Sequence, residues 1–574
     1  MNYDELVAYL KTAGYDVCTH KHLNKGCIKV DFDVGRHKVS FIHFYVDEFN
    51  VLPVFLLLEP RQFGVLAHVL PFEGNELGYV CVNDRDSVSV NFEQPHLAIL
   101  ESLQRHISII SHGLTDPDWN KSELLREFNA NWKAICSKEG HELVCTSVDG
   151  SIEVMSVYSP QKGHSVGFDS FYLGISESTQ DLAEYSYIRR SALSKERSKS
   201  TRRGYIIPLQ DLVPAPTHID EIGTWYLEAI KNLSAVDQQS FTRNMLQWRD
   251  TEFWLVFNAM TPSGRTWFCL HFKSSKKKTL PITVHALKDW VISAVEVTLF
   301  NQQLVMPRSG ADTSLVSKRV LLIGCGSVGC EIAGNLASSG VGNLAISDPD
   351  KLSISNLYRH TLPNHWIGAN KAWSMKLSLE FKYPFISVTS SELELLHIRN
   401  KELLESYDLI IVAIGSPTHE RIFHDFIIES KVNVPIINTW VEGYGVGGHA
   451  TLDISGSKGC LRCAYVDPET LGRGLSSNLN FFENNQNITV NHGGCGDLFL
   501  PYSSISAGQT AILASDLAVK YLTGKLECSS KVSWKGDDSD ARQAGLKLNH
   551  RYEMFTKSLS IEPLYNEYCD ICQD

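Results

Sequence analysis

A chain of 574 residues is too long for one hydrophobic core, and ordinary domain sizes divide it into about three or four. Its 43% apolar and 21% charged residues exclude a disordered or low-complexity protein. The 65 acidic residues against 53 basic ones disfavour nucleic acid as the main partner.

The chain opens with MNYDELVAYLKTAGYDVCTH, which has neither the basic flank nor the apolar run of a secretion signal. A short helix is expected over Tyr3–Ala13, followed by three strand-like runs, CIKVDFDV, HKVSFIHFYV and VLPVFLLLEP. The run VLPVFLLL (Val51–Leu58) holds a proline and falls far short of the roughly 18 residues that span a membrane. No membrane association is expected, and the protein is read as cytoplasmic. Next come a loop centred on HVLPFEGNELGYVC (His68–Cys81) and a helix over HLAILESLQRHISII. Residues 1–115 thus read as a small α+β domain. A mixed middle domain, 116–305, has a helix at Asn120–Lys138, strands such as GRTWFCLHFK, and a basic loop, RRSALSKERSKSTRR (Arg189–Arg203), read as a solvated connector. The stretch PRSGADTSL marks the change to an α/β block over 306–574, and no internal repeat is found.

In that block KRVLLIG reads as a buried strand, and Gly324, Gly326 and Gly329 make a GxGxxG turn into the helix CEIAGNLASSG. Such a turn presents backbone amides and a helix N-terminus to phosphate. A second strand, NLAISD, ends at Asp348, close to the position where an acidic side chain holds a ribose hydroxyl. Taken alone, this pattern leaves an NAD-dependent oxidoreductase open. Against it stand Arg359 in SNLYRH and Lys371, twelve residues further on. Two cations beyond the ribose position suit a triphosphate, because they neutralise charge at the α-phosphate as pyrophosphate leaves.

From GxGxxG through SGVGNLAISDPD and SNLYRH to Lys371, the chain resembles the ThiF-type family of ubiquitin-activating enzymes and their bacterial relatives that adenylate sulfur carriers. The resemblance covers about Val316 to Asp574 and implies a Rossmann-like adenylation domain using ATP with Mg2+. It sets the ribose on Asp348, with Asp350 completing the D-x-D pair, and the ATP phosphates against Ser355, Asn356, Arg359 and Lys371. The two cations are the catalytic ones. The magnesium-holding aspartate that the family has after the strand DLIIVAI is missing, and the chain reads GSPTHER, Gly415–Arg421, instead. The family's dimerisation through this domain implies a homodimer.

Cys460 and Cys463 in GCLRCAY, with Cys569 and Cys572 in YCDICQD, make two CxxC pairs. Fourteen cysteines without a secretion signal indicate a reducing compartment, where such pairs fit a closed, structural Zn2+ site. Between them NNQNITVNHGGCGDLFLPYSS reads as a mobile crossover segment, with Cys495 accessible among small residues. The resemblance makes Cys495 the thiol that takes the acyl group from the adenylate. Cys528 is a weaker candidate, and Cys325 and Cys330, beside the glycine turn, are read as packing residues.

At the other end of the chain, GYVCVND (Gly78–Asp84) resembles the G-x-[I/V]-C pattern around the active cysteine of ubiquitin-conjugating enzymes. It implies that Cys81 receives the acyl group from Cys495 and passes it to an amine. The His-Pro-Asn tripeptide of those enzymes is absent, and His68, thirteen residues before Cys81, is read as structural. A conjugating-like domain, a middle domain and an activating domain in one chain resemble the fused conjugation enzymes of bacterial CBASS antiphage operons. What this implies is that the C-terminal tail of a carrier protein, a cGAS/DncV-like nucleotidyltransferase, is joined to an amine-bearing acceptor. The alternative is a sulfur-carrier adenylating enzyme of the ThiF/MoeB type whose N-terminal region is a docking domain.

Overall fold

The computed structural model describes residues 3–44, 52–72, 76–82, 93–136, 142–160, 171–182, 188, 192, 201–491 and 498–573. The chain divides into two compact units. One is Met1–Leu182 with Ile188–Asn301, and the other is Gln302–Asp574 with Ala183–Tyr187.

The first unit contains two sheets. Six strands, β1 (Asp16–His22), β2 (Lys25–Val34), β3 (His37–His43), β4 (Leu56–Leu58), β5 (Val69–Phe72) and β6 (Leu77–Val80), form an antiparallel sheet in the order β1-β2-β3-β4-β6-β5. Ile28, Val30, Val39 and Phe41 alternate inward and pack with Leu6 and Leu10 of α1 (Tyr3–Thr12) and Ile99 and Leu103 of α2 (Pro95–Thr115). Each such side chain contributes about 1.5–3 kcal/mol by leaving water.

Three expectations change here. The stretch His68–Cys81 is no plain loop: β5 and β6 pair within it, Val69 opposite Val80. β1, absent from the sequence reading, is a sheet edge with mostly exposed residues, so it shows no apolar alternation. The single helix expected at Asn120–Lys138 is two, α3 (Pro117–Arg126) and α4 (Phe128–Ile135), because Glu127 leaves helical geometry at φ −92°, ψ 12°. Asp116 caps α3 by accepting from Trp119 N.

The second sheet has eight strands: β7 (Leu143–Thr146), β8 (Glu153–Tyr158), β9 (Tyr172–Ser176), β10 (Arg202–Leu209), β11 (Asp250–Thr261), β12 (Gly264–Lys278), β13 (Val291–Val295) and β14 (Val297–Leu299). Their order is β13-β12-β11-β10-β8-β9-β7-β14. Phe253, Leu255, Phe257, Phe268, Leu270 and Phe272 of its two longest strands are buried on a face with Trp225 and Tyr226. Arg202 and Arg203, the last residues of the expected basic loop, lie in β10; Arg202 pairs with Glu252 at 2.9 Å and Arg203 covers the Trp248 ring. Of the rest of that loop, 189–191 and 193–200 lie outside the described residues.

The second unit is built on a third eight-stranded sheet, from β15 (Arg319–Ile323), β16 (Asn343–Ser347), β17 (Ser387–Ser391), β18 (Leu409–Val412), β19 (Ile436–Val441), β20 (Gly447–Asp453), β23 (Ser530–Lys535) and β24 (Glu562–Pro563). Two further short strands, β21 (Val490–Asn491) and β22 (Leu498–Phe499), pair apart from it. The order β17-β16-β15-β18-β19-β20-β23-β24 starts with five parallel strands. In chain order those five read 3-2-1-4-5, a doubly wound sheet whose switch point falls between β15 and β18. The buried runs VLLI and LIIV reflect strands covered on both faces. Among the described residues no helix is long and apolar enough to cross a membrane.

Candidate functional site

The switch point gathers the GxGxxG turn. β15 ends at Ile323, Gly324 takes φ +94°, and Gly326 caps the helix Ser327–Ser339. A Cβ on Gly324 would lie 2.6 Å from the Ala413 carbonyl oxygen, and one on Gly329 would lie 1.9 Å from that of Gly324. Glycine is therefore required at both positions for the turn, the helix and the end of β18 to approach each other. Asp348, at the end of β16, is buried; its Oδ2 accepts from Cys325 N at 2.6 Å and its Oδ1 from Asp350 N at 2.8 Å. Both oxygens are thereby oriented by backbone amides beside the glycine turn.

Lys371 begins the helix Lys371–Lys382 and is buried, with Nζ 2.9 Å from Asp350 Oδ2. Asn370 caps that helix and donates from Nδ2 to the Asp348 carbonyl at 2.8 Å, tying the start of the helix to Asp348. Arg359 donates to the Leu500 carbonyl at 3.2 Å, and its guanidinium sits 4.7 Å from the Tyr502 ring. The Tyr502 hydroxyl lies 2.7 Å from Ser327 Oγ at the start of the helix that follows the glycine turn. Two of the sequence-predicted residues are turned to a local task. Asn356 accepts from Ser353 N and Oγ, closing a capping box, and Ser355 Oγ lies 2.8 Å from Ser353 Oγ. The glycines, Asp348, Asp350, Lys371 and Arg359 are therefore held in position by their own contacts, while Ser355 and Asn356 shape the turn before Arg359.

Sequence reasoning missed His360. Its Nδ1 accepts from Leu362 N at 3.1 Å, so its Nε2 carries the proton and donates to the Cys325 carbonyl at 2.8 Å. Burial lowers its pKa and keeps it in that neutral form. Cys325 and Cys330 are buried packing residues, and burial raises both thiols. The GSPTHER stretch also carries Glu420. It is buried, accepts from Ser416 N at 3.2 Å, and burial pushes its pKa up to about 8, so it is largely protonated at neutral pH.

The four cysteines converge. Sulfur pairs Cys460–Cys569, Cys463–Cys572 and Cys460–Cys572 are 3.8, 3.7 and 3.6 Å apart. A tetrahedron with thiolates at about 2.3 Å from zinc has edges of about 3.8 Å, so the cluster fits the ion without rearrangement. Arg462, inside the first CxxC, bridges Asp425 at 2.7 Å and Asp570, inside the second, at 3.2 Å. Beside the cluster His424 Nε2 meets Asp453 Oδ2 at 3.1 Å, and Asp453 also accepts from Leu461 N.

Cys495 lies outside the described residues; its flanks β21 and β22 pair, Val490 with Phe499 and Asn491 with Leu498. Upstream, the buried Glu442 accepts from Phe481 N at 2.8 Å and from His449 Nε2 at 2.8 Å, fixing the start of that segment. Cys528 is exposed and stands apart from these groups, near Ser530. In the first unit Cys81 follows β6, half-buried, and its N–H donates to the His68 carbonyl at 2.8 Å. His68 is more than a bystander: Glu127 holds its Nδ1 at 2.6 Å, and Glu123 lies 3.5 Å from its Nε2.

A Rossmann-type sheet with a glycine turn, an oriented aspartate and two cations at its switch point defines a nucleotide-binding domain, and residues 300–559 match the ThiF family, which makes this region a ThiF-family adenylation domain. Among relatives, the chain is 26% identical over 543 residues to "ATP-dependent ubiquitin transferase-like protein Cap2" of Escherichia coli strain TW11681, covering 86% of this chain and 87% of that protein. It is 30% identical over 191 residues to "Adenylyltransferase and sulfurtransferase UBA4" of Debaryomyces hansenii, over 32% of this chain. The chain spans about four tenths (41%) of the length of that relative. The solved structure of E. coli MccB with ATP overlaps 45% of this chain and 68% of its own at 18% identity, with a TM-score of 0.32.

Proposed function

We propose that the chain is an ATP-dependent conjugating enzyme in three parts, a conjugating-like region at 1–115, a middle region at 116–305 and an adenylating region at 306–574. The adenylating region activates the C-terminal carboxylate of a carrier protein with Mg2+-ATP as substrate. Asp348 and Asp350 serve the ribose side, the backbone of Gly324, Gly326 and Gly329 faces phosphate, and Arg359 and Lys371 neutralise charge as pyrophosphate departs, with Ser355 and Asn356 shaping that edge. The acyl group then passes to Cys495 and on to Cys81 as a thioester, and an amine removes it as an amide. Cys460, Cys463, Cys569 and Cys572 hold a structural Zn2+. The carrier in this reading is a cGAS/DncV-like nucleotidyltransferase in a CBASS antiviral system, and the working form is a cytoplasmic homodimer.

The observation that carries this reading is the extent of the likeness to a ubiquitin transferase-like protein. At 86% of the chain it is too long to lie in the C-terminal unit alone. A second reading, a sulfur-carrier adenylating enzyme with an N-terminal docking region, is favoured by the higher identity to UBA4, which stops at 32% of the chain.

Alanine variants separate the two. With a cGAS/DncV-type protein, ATP and a lysine-rich acceptor, Cys495→Ala should keep pyrophosphate exchange but form no thioester. Cys81→Ala should form a reductant-sensitive thioester yet modify no amine. The reason is that adenylation needs no thiol, while each later acyl transfer needs its own nucleophile. If Cys81→Ala conjugates as fast as the parent on non-reducing gels, the docking reading replaces this one.

A further inference from the structure

His68 takes a left-handed backbone conformation. Its φ of +63° lies in the left-handed region, where non-glycine residues are uncommon and concentrate at functional sites. Glu127 holds it there twice, accepting from His68 N at 2.9 Å with Oε2 and contacting Nδ1 at 2.6 Å with Oε1. The other ring nitrogen, Nε2, faces Glu123 Oε2 at a longer 3.5 Å, and Glu123 is itself drawn to Arg126 at 3.0 Å. The Trp119 ring lies 6.0 Å away, centroid to centroid. The pairing of Val69 with Val80 sets His68 directly across from Cys81, confirmed by the Cys81 N–H bond to the His68 carbonyl. Residues opposed in an antiparallel pair lie about 4.5–5.5 Å apart at Cα. Cys81, the imidazole of the residue whose backbone it pairs with, and the carboxylate orienting that imidazole supply the residue types of a nucleophile, base and orienter.

We propose that His68, oriented by Glu127, is the proton acceptor for the amine that discharges an acyl group from Cys81. The inference rests on the reading of Cys81 given above. In the step, the amine nitrogen attacks the thioester carbonyl, its proton passes to His68 Nε2, the carbon–sulfur bond breaks, and Cys81 leaves as thiolate while an amide forms. Burial acts to lower the His68 pKa, but the Glu127 hydrogen bond and the charges of Glu127 and Glu123 outweigh it and raise the value. The step therefore gains speed as pH rises through that raised value.

The test uses the full-length protein with Cys81 acylated by a synthetic glycyl thioester, followed by discharge to Nα-acetyl-lysine or to hydroxylamine, which is uncharged at neutral pH and needs no base. His68→Gln should slow lysine discharge on the order of 100-fold and leave hydroxylamine discharge unchanged. Glu127→Gln should move the midpoint of the pH–rate curve for lysine downward, because the imidazole loses the carboxylate that raises it. Equal slowing with both nucleophiles makes His68 structural, and unchanged lysine discharge removes it from the step; either result overturns the proposal while Cys81 stands. Failure of the parent protein to form acyl-Cys81 overturns the Cys81 reading and the proposal together.

Discussion

The two units present their candidate chemistry in contrasting ways. In the C-terminal unit the glycine turn, Asp348 and the end of β18 meet at the carboxyl ends of parallel strands, where the topology of a doubly wound sheet requires a ligand site to be. In the N-terminal unit Cys81 stands at the rim of an antiparallel hairpin, a position that topology alone does not mark. The first site is restrained by several elements at once: a strand end, a helix cap and the chain after Cys495 each hold one group. The second is held chiefly through the two contacts Glu127 makes with His68. Function supported by many elements leaves a pattern in sequence, and function supported by one distant pair does not.

The contrast can be broken most forcefully at the four thiols. Elemental analysis of the parent should find one zinc per chain; Cys460→Ser/Cys463→Ser should lose it, and its unfolding midpoint should fall on the order of 10 °C. Unchanged zinc in that variant would remove these two residues from the site. At the switch point, Arg359→Ala should lower carrier-dependent pyrophosphate exchange about 100- to 1000-fold with the fold retained by circular dichroism. Retention of full exchange would show that the triphosphate edge is built from other groups.

A third expectation concerns Glu420. Its carboxyl ionises at the ordinary 4.5 when unfolded but holds its proton to about 8 when folded. Between these values the folded chain carries the extra proton, so stability falls as pH rises, by at most about 1.4 kcal/mol per unit, and levels off above about 8. Glu420→Gln cannot ionise and should flatten that slope in denaturant midpoints taken from about pH 5 to about pH 9. A slope identical to that of the parent would mean that Glu420 does not carry the buried proton.

How much of this was legible in the sequence follows the same divide. GxGxxG, the aspartate that ends NLAISD and the two CxxC pairs are local spacings, and the structure brings each set together. The hairpin before Cys81 was not legible because Pro71, Gly74 and Asn75 read as breakers, and a proline is tolerated there only because β5 is the sheet edge. The break at Glu127 was hidden inside a helical pattern. The partnership of His68 with Glu127 joins residues 59 apart, which no periodicity can reveal. Asn356 adds a local task that the motif did not announce, since its Oδ1 accepts from Ser353 in the turn that delivers Arg359.

The two CxxC pairs have one more consequence, for the chain as a path. Cys460 and Cys569 are 109 positions apart. A metal shared by them closes a ring that contains β21, β22, the helix Ser504–Leu522 and β23. Closing a ring of about 100 residues removes about 4.7 kcal/mol of freedom from the unfolded chain on a loop-entropy count. A ring also has no loose end. One backbone cut inside it leaves both pieces joined for as long as the metal stays.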